Sequence, residues 1–473
     1  MYERRRLYRA RRRREEVRRY WETALLIVTV ICIFVIVIAM AVQTRASRVI
    51  AAEPAVQEAP LALDEKNVLD IAQVMTTGRA IAANSSENLA KKEAQRAIVI
   101  DPGHGGADGG CMFDGIVEKE INRKIASRVV DKLRKRGYQV VLARKGDDFV
   151  DKEARVEEAN RQNALLYVSI HQNSCELESV SGIETWYDDS DAGKDSRRLA
   201  QLIQQETVRE TNAVGRELVS DSGLCVTSKS RMPSCLIETG FLSNRKEREK
   251  LSTMEYRDRI AEGIARGIDL YLNPRTMYLT FDDGPSEEYT DMVLDVLREK
   301  NIKATFFVIG EYVRKYPDTA RRIAEEGHTI GIHCDVHDYK KIYASADSYI
   351  EDFQRAYDTV YEVTGVRAQF FRFPGGSINA YNKTVYRDII AKMEEKGFVY
   401  YDWNASLEDA SGREKTKEQL IDNAVDTTLG RRSVVMLAHD RVSGTAQALG
   451  DLIEAFPEYR MEPLTPDIDP VQF

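Results

Sequence analysis

Residues 97–106 read AIVIDPGHGG, an apolar run that leads directly into an aspartate, a histidine and three glycines. The apolar residues predict a short buried strand. The glycines let the backbone turn tightly where the strand ends, which leaves His104 exposed in a cleft. This strand begins a regular alternation of apolar strands and amphipathic helices, which predicts an α/β fold built on mainly parallel sheets.

The alternation runs twice along the chain, once on each side of a short junction around Pro274. In the first half, strands are predicted at 97–100, 138–143, 165–170 and from 235, and helices at 121–136, 196–210 and 256–272. In the second half, strands are predicted at 277–281, 304–309, 329–332, 370–373, 398–403 and 434–438, and helices at 287–300, 312–326 and 348–363. Since the junction is only a few residues long, the two domains are expected to touch.

The chain has only six histidines, and five of them fall into two groups with acidic residues. In the first group, His104, Glu118 and His171 provide two imidazoles and one carboxylate, which is the donor set of a three-ligand zinc site with a position left for water. Glu238 ends another strand and could take the proton from an attacking water. The alternative is that a histidine after a glycine-rich turn is structural, but four such residues at strand ends favour a site.

The second group combines two adjacent carboxylates with three histidines. Asp282 and Asp283 end a strand, and two such groups in different environments can divide into a base and a metal ligand. His333 and His337 are four residues apart, a spacing that can put both on one face of a turn or helix. His439 ends another strand and could protonate a leaving amine. The alternative for the aspartate pair is a solvated turn.

The first group lies among motifs that resemble those of the zinc-dependent N-acetylmuramoyl-L-alanine amidases of the type-3 family. The shared motifs are DPGHGG from residue 101, Glu118-Lys119, the segment SIHQN from 169 and ETGFLSN from 238. The resemblance covers about residues 97–273 and implies an α/β domain with a central, mostly parallel sheet. It implies zinc bound by His104, Glu118 and His171, with Glu238 as the catalytic carboxylate. Structural roles are expected for Arg144, Arg155 and Asn160.

The second group resembles the polysaccharide deacetylases of the NodB-homology family over about residues 277–465, which implies a distorted (β/α) barrel. The shared motifs are TFDDGP from 280, the two histidines at 333 and 337, RFPG from 372, Asp402-Trp403 and LAH from 437. The resemblance implies that a divalent metal, zinc or another transition metal, is held by Asp283, His333 and His337. It also implies catalytic roles for Asp282 as base, His439 as acid, Arg372 orienting Asp282, and Asp402 orienting His439. Substrate contacts are expected from Trp403, Leu437, Pro374 and Gly375, with Trp403 and Leu437 walling an acetyl pocket, and a structural role from His328.

The N-terminal region predicts a membrane anchor. Residues 1–20 carry ten arginines against three glutamates, and residues 24–42 carry no charge. Nineteen apolar residues can cross a bilayer as a helix, and the arginines favour a cytoplasmic N-terminus. A cleaved signal peptide and a nucleic-acid-binding tail are the alternatives, but the apolar run is long for a signal peptide, and an acidic remainder argues against nucleic acid. We therefore predict a basic tail over 1–23, an anchor over 24–42, a stalk over 43–96 that contains a helical stretch near 65–83, and catalytic domains over 97–273 and 274–473 outside the membrane.

The cysteines do not predict a disulfide-rich scaffold. There are six, one of them inside the predicted anchor, and no CxxC pair occurs. One or two bridges among the other five remain open.

These predictions combine into a membrane-tethered, bifunctional enzyme that modifies peptidoglycan. The first domain would cleave the amide between muramic acid and the stem peptide, and the second would remove acetyl groups from the glycan. In one alternative the two act in sequence, so that a muramic lactam of the spore-cortex type can form; in another, the deacetylated sugar is N-acetylglucosamine. A catalytically inactive wall-binding scaffold is a third alternative, but it predicts missing ligands, and none is missing.

Overall fold

The computed structural model of the protein describes residues 96–473. The predicted basic tail, the anchor over 24–42 and the stalk lie outside the described residues. Within residues 96–473, no helix has both the length and the apolar character needed to cross a membrane.

The first domain is an α/β sandwich around a six-stranded sheet. Its strands are β1 (Ile98–Pro102), β4 (Val140–Leu142), β5 (Leu166–Asn173), β6 (Glu184–Tyr187), β7 (Val219–Ser220) and β8 (Ser234–Phe241), and a separate hairpin pairs β2 (Met112–Phe113) with β3 (Ile116–Val117). The sheet order is β4-β1-β5-β8-β6-β7, and β6 is antiparallel to β8 while the other pairs are parallel. The prediction of a mostly parallel sheet is therefore confirmed. Because β1, β5 and β8 are neighbours with the same direction, their carboxyl ends meet at one edge.

Helices cover both faces of this sheet. They span Glu118–Lys135, Lys152–Arg161, Ser196–Thr211, Cys225–Ser228, Arg245–Ser252 and Met254–Leu272, with a 3₁₀ turn at Ala192–Lys194. Two of them pack unusually closely, because a Cβ on Gly263 or Gly267 would lie within 2.5 Å of the backbone of the helix Ser196–Thr211. Glycine at these two positions thus lets the two helices come into backbone contact.

The second domain is a half-barrel of eight parallel strands. The strands are β9 (Arg275–Asp282), β10 (Thr305–Ile309), β11 (Thr329–Cys334), β12 (Phe370–Phe371), β13 (Val399–Tyr400), β14 (Ala405–Ser406), β15 (Ser433–His439) and β16 (Tyr459–Glu462). Their order is β13-β12-β11-β10-β9-β15-β14, with β16 paired to β9. Strands β13 and β14 are the two edges, so strand pairing does not close the predicted barrel.

Eight helices surround the described half-barrel. They span Tyr289–Glu299, Gly310–Lys315, Pro317–Glu325, Tyr339–Ile342, Ala346–Thr364, Tyr386–Glu395, Lys417–Thr428 and Ser443–Glu454. The single helix predicted over 312–326 is divided before Pro317, because proline has no backbone N–H to donate and its ring disfavours a helical conformation in the preceding residue.

The two domains contact each other, as the short junction predicted. Helix Met254–Leu272 is separated from β9 by Asn273 and Pro274 alone. Arg198 donates from Nε to the carbonyl oxygen of Pro457 at 2.7 Å, and Gln201 donates to the carbonyl oxygen of Glu454 at 3.0 Å. None of the five cysteines within residues 96–473 forms a disulfide.

His328 has the structural position that the sequence predicted. Its side chain is fully buried, its Nδ1 accepts a hydrogen bond from the backbone N–H of Ala304 at 3.1 Å, and its ring packs edge-on against Phe306. Burial lowers the pKa of His328 to about 4. The folded protein therefore keeps this imidazole neutral in mildly acidic solution.

His328 should make the protein sensitive to acid. Below pH 6.5 an unfolded histidine takes up a proton, whereas the folded one does not until about pH 4. The free energy of unfolding should thus fall as the pH drops from 6.5 to 4, by on the order of 2 kcal/mol at pH 4.5. We expect His328→Gln to remove this contribution, measured as the difference between urea unfolding at pH 7 and at pH 4.5. An equal difference in both proteins would contradict the assignment.

Candidate active sites

The first candidate site forms where β1 and β5 end beside the helix Glu118–Lys135. The Nε2 atom of His104 lies 3.1 Å from Oε1 of Glu118, and Nδ1 of His171 lies 3.0 Å from the same oxygen. One donor atom from each of the three residues lies within 4.8 Å of the others. His104 has a φ of 64°, a left-handed conformation that is uncommon among non-glycine residues. The structure thus brings the three predicted metal ligands together.

Neighbouring groups hold this donor set in place. Glu118 accepts hydrogen bonds from the backbone N–H of Cys111 at 2.9 Å and from that of Gln172 at 3.2 Å. Burial would raise the pKa of Glu118, but hydrogen bonds from the two histidines hold it well below its usual range. The carboxylate is therefore ionised, as metal binding requires.

Asp108 orients His104, which sequence reasoning missed. Oδ2 of Asp108 lies 2.8 Å from Nδ1 of His104 and so leaves Nε2 to face Glu118. Burial lowers the pKa of His104, but the hydrogen bonds to Glu118 and Asp108 outweigh burial and raise it to about 9. A carboxylate behind a histidine is the usual support of a metal-binding imidazole. The position of Asp108, four residues after His104 in the same glycine-rich turn, was the available signal.

Glu238 lies on β8 directly beside His171 on β5. Its Oε2 atom is buried and has no hydrogen-bond partner within the described residues. Burial raises the pKa of Glu238 to about 7, with a further contribution from the neighbouring carboxylates Glu118 and Glu184. A carboxyl group that titrates near neutral pH can both accept and return a proton at physiological pH.

A groove of about 410 Å³ opens beside this site. His104 and His171 form one wall, and Phe149, Lys152, Leu224, Val226 and Leu236 are among the residues that line the rest. Apolar side chains and two cations, Lys152 and Arg155, thus line the groove together.

The three residues expected to be structural have that role. Arg144 donates to the carbonyl oxygens of Pro102 and Gly103, and Arg155 pairs with buried Asp101 at 2.9 Å. Asn160 donates to the carbonyl oxygen of Lys229 and accepts from the N–H of Arg231. These contacts fix the loops around the site.

The second candidate site lies at the carboxyl ends of β9 and β11. Oδ1 of Asp283 lies 3.3 Å from Nε2 of His333 and 3.6 Å from Nε2 of His337. This oxygen is buried and has no hydrogen-bond partner in the described part of the chain. His333 belongs to β11 and His337 to the loop after it, so the two histidines do not share a helical face. The extended strand and the turn of the loop bring the two imidazoles together instead.

The charges of this cluster also suit a cation. Burial would raise the pKa of Asp283, but the close approach of His333 and the charges of the nearby histidines hold it well below its usual range. Nδ1 of His333 lies 2.9 Å from the carbonyl oxygen of Arg372, which leaves Nε2 to face Asp283.

Asp282 and Arg372 meet as the sequence predicted. Nη1 of Arg372 donates to Oδ1 of Asp282 at 2.9 Å and to Oγ1 of Thr280 at 2.7 Å. The rest of the guanidinium donates to the carbonyl oxygens of Tyr401 and Asp402. The arginine is fully buried, so it holds the carboxylate in one orientation.

The prediction that Asp402 orients His439 is wrong. The carboxylate of Asp402 accepts hydrogen bonds from the N–H and hydroxyl of Ser377 and from the N–H of Phe473. Oδ1 of Asp409 instead lies 2.8 Å from Nδ1 of His439. Its other oxygen accepts from the N–H of His439 and the hydroxyl of Thr445.

Strand order explains this error. Asp402 follows β13 at one edge of the half-barrel, whereas Asp409 follows β14, which is paired with the strand that carries His439. Burial lowers the pKa of His439, but the hydrogen bond with Asp409 and the charges of nearby aspartates outweigh burial and raise it to about 9. A pKa raised in this way favours a protonated imidazole at neutral pH.

The predicted substrate contacts lie around this site. Leu437 is buried two residues before His439 on β15, and the guanidinium carbon of Arg372 lies 5.8 Å from the ring of Trp403. The carbonyl oxygen of Pro374 accepts a hydrogen bond from the hydroxyl of Tyr343, and Gly375 has a φ of 74°. Their contact with an acetyl group stays a prediction.

Comparison with known proteins agrees with this division. The profile of the N-acetylmuramoyl-L-alanine amidase family matches residues 98–270, and that of the polysaccharide deacetylase family matches residues 270–394. Three relatives from Bacillus subtilis strain 168 illustrate the two halves. The uncharacterized protein YqiI is 40% identical over 37% of this chain and 84% of its own length, and the N-acetylmuramoyl-L-alanine amidase LytC is 36% identical over 41% of this chain and 38% of its own. The putative polysaccharide deacetylase YheN is 32% identical over 40% of this chain and 65% of its own length.

The chain spans less than two thirds of the length of LytC and of YheN. Each family match nevertheless contains the complete donor set of one candidate site. This chain therefore belongs to the N-acetylmuramoyl-L-alanine amidase family in its first half and to the polysaccharide deacetylase family in its second, and both are families of hydrolases that act on C–N bonds.

Proposed function

We propose that the protein is a bifunctional peptidoglycan hydrolase. Its first domain cleaves the amide between N-acetylmuramic acid and L-alanine, and its second removes N-acetyl groups from amino sugars of the glycan. The observation that carries the proposal is that each domain has its own three-donor cluster with an adjacent carboxylate, Glu238 in one and Asp282 in the other. An inactive scaffold would have no need to keep both sets.

Each cluster fits a divalent cation. In the first, two imidazoles converge on one oxygen of an ionised carboxylate. In the second, a buried carboxylate oxygen without a hydrogen-bond partner faces two imidazole nitrogens. His104, Glu118 and His171 would hold zinc, and Asp283, His333 and His337 would hold zinc or another transition metal. When bound, the cation would act as a Lewis acid that polarises the carbonyl under attack.

The residues around each cation would move the protons. Glu238 would take a proton from the attacking water and return it to the departing amine of the stem peptide. In the second domain these two tasks are divided. Asp282, held by Arg372, would accept the proton of the water, and His439, held by Asp409, would give a proton to the sugar amine. The pKa of Glu118 is lowered and that of Glu238 is raised, which supports Glu118 as the metal ligand and Glu238 as the base in the first domain.

Product analysis tests the proposal. Purified peptidoglycan would be incubated with the wild-type protein, with Glu238→Ala and with Asp282→Ala, then digested and analysed by mass spectrometry. We expect the wild type to release stem peptides and to form deacetylated sugars, and each variant to lose one of these products while keeping the other. Intact stem peptides and fully acetylated sugars after incubation with metal-loaded wild type would refute the proposal.

The contact between the two domains favours action in sequence. The amidase would free muramic acid from its peptide, and the deacetylase would then act on that sugar, which leaves an amine that can close to a muramic lactam. Deacetylated muramic acid that still forms with Glu238→Ala would exclude this order. Deacetylation of N-acetylglucosamine alone would favour two independent activities.

Both substrates lie in the cell wall, which fits catalytic domains outside the membrane. We propose that residues 24–42 anchor the protein with its N-terminus in the cytoplasm. Protease treatment of intact protoplasts tests this proposal, because the catalytic domains should be digested while an N-terminal tag is protected.

The loop between the two metal-binding histidines depends on Asp352. Its carboxylate accepts hydrogen bonds from the N–H groups of Asp335 and Val336, at 2.6 and 3.3 Å. Arg355, one turn further along the same helix, pairs with both Asp335 and Asp352. This network fixes the backbone that carries His333 and His337.

We expect Asp352→Ala to weaken metal binding at the second site by about tenfold, since supporting residues of this kind contribute that much to metal affinity. The measurement is competition with a chelator in a His104→Ala background, which leaves one cluster intact. Asp358→Ala, an exposed position on the same helix, is the control and should not change the affinity. Equal affinities in the two variants would contradict a positioning role.

A further inference from the structure

Two adjacent glycines of the deacetylase site each pack against a different aromatic ring. Gly375 and Gly376 have φ values of 74° and 89° and follow Arg372 by three and four residues. A Cβ on Gly375 would lie 3.0 Å from the ring of Tyr339, and one on Gly376 would lie 3.2 Å from the ring of Trp403. The turn therefore packs against two aromatic side chains, and one of them, Trp403, lies 5.8 Å from the guanidinium carbon of Arg372.

Tyr339 is the inner member of a stacked pair. Its ring lies parallel to that of Tyr381, with centroids 5.0 Å apart and an interplanar angle of 14°. It also meets the ring of His337 edge-on, with centroids 5.0 Å apart. Tyr381 is 53% exposed, so an open aromatic surface lies one ring beyond a metal-binding histidine.

The turn carries further exposed apolar surface. Trp403 packs against Phe473 at a centroid distance of 5.4 Å, and both Phe473 and Ile378 are about half exposed. Exposed apolar groups that cluster beside a polar site mark a ligand-binding surface more often than isolated ones do. The mouth of the deacetylase site thus combines flat apolar rings with the polar groups of the catalytic centre.

Hydrogen bonds hold Tyr381 in place before any ligand binds. Its backbone N–H donates to the side chain of Asn379 at 2.8 Å, and the amide of Asn379 donates to the carbonyl oxygens of Pro374 and Gly376. The buried side chain of Asn382 also donates to Gly376. Because hydrogen bonds fix the backbone of this loop, Tyr381 loses little conformational entropy when a ligand binds.

We propose that Tyr381, stacked on Tyr339, binds a sugar ring of the glycan next to the one that is deacetylated. A pyranose presents an apolar C–H face that fits the electron-rich face of an aromatic ring, and the uncharged tyrosine pair suits a neutral ring such as N-acetylglucosamine. This inference rests on the proposed deacetylase function and goes beyond it. It assigns recognition of a chain of sugars, rather than of a single acetyl group, to this pair.

The test compares a long substrate with one that has no sugar. The long substrate is the β-1,4-linked tetramer of N-acetylglucosamine, and the short one is 4-nitrophenyl acetate. For Tyr381→Ala we expect KM for the tetramer to rise about tenfold, while kcat/KM for the acetate ester is unchanged. Tyr381→Phe keeps the ring and should behave as wild type. Tyr361→Ala is the matched control, because Tyr361 is 43% exposed and lies on the helix Ala346–Thr364.

Three outcomes are informative. An unchanged KM for the tetramer overturns the inference, and so does an equal loss on both substrates, because the residue would then act at the reacting group. If the wild type does not deacetylate the tetramer, the proposed activity on N-acetylglucosamine fails. Calorimetric titration with the tetramer then still tests the binding role of Tyr381. A larger Kd for Tyr381→Ala than for Tyr361→Ala supports that role, and equal Kd values overturn it.

Discussion

Glu238→Gln is expected to lower the amidase turnover number by about 10³-fold, the usual range for loss of a general acid–base residue. Glutamine keeps the shape of the side chain but cannot accept a proton. Glu238 is buried beside His171 and is not one of the three converging donors, so metal content should stay at the wild-type value. The measurements are release of stem peptides from purified peptidoglycan and metal analysis of the same sample.

The pH dependence gives this prediction a second readout. The base must be ionised to act, and burial raises the pKa of Glu238 to about 7, so the rate should fall as the pH drops below its pKa. A bound cation beside the carboxylate lowers that pKa, which moves the acidic limb of the holoenzyme below pH 7. The residual activity of Glu238→Gln should lack this limb. The deacetylase site of the same molecule is the internal control, and a parallel loss of both activities would indicate misfolding instead.

Asp409→Asn is expected to reduce deacetylation of the glycan by a similar factor, about 10³-fold. The carboxylate of Asp409 holds His439 by two hydrogen bonds and supplies the negative charge that keeps the imidazole protonated. Asparagine removes that charge, so the pKa of His439 should fall from about 9 toward its ordinary value. Because the acid acts only while protonated, the alkaline limb of the pH–rate profile should move to lower pH.

Asp402→Asn is the matched comparison for this prediction. Both aspartates are buried and both accept several hydrogen bonds, but those of Asp402 come from Ser377 and Phe473. This variant can change stability, yet it should leave the alkaline limb where it is in the wild type. A shift of the limb in Asp402→Asn and not in Asp409→Asn would contradict the assignment.

The parts of these sites that the sequence predicted are those carried at the ends of adjacent parallel strands. His104, His171, Glu238 and Asp283 each lie in the last four residues of a buried strand or within two residues after one, and parallel neighbours bring such residues to one edge. Their approach follows from the fold alone. The sheet class and most helices follow from the same periodicity.

The parts that could not be predicted depend on which strands are neighbours and on how loops turn. Asp402 and Asp409 are only seven residues apart, but they follow the strands at opposite edges of the half-barrel. Local sequence does not reveal which of these two edge strands pairs with β15, the strand that carries His439. Asp352 and Tyr381 reach the second site from a helix and a loop with no motif of their own. Packing between residues distant in sequence decides where Asp352 and Tyr381 lie, and the spacing of apolar residues along one sequence carries no information about such packing.

The backbone conformations of His104 and Asp283 limit how this enzyme can be engineered. Both residues have positive φ values, 64° and 75°, in a region that costs an ordinary side chain about 1–3 kcal/mol. Replacing either by glycine would relieve that cost and destroy a donor set. A selection for thermal stability alone would therefore enrich inactive proteins at these two positions. Libraries built for robustness should keep both residues fixed, and natural relatives with glycine there would be candidates for lost catalysis.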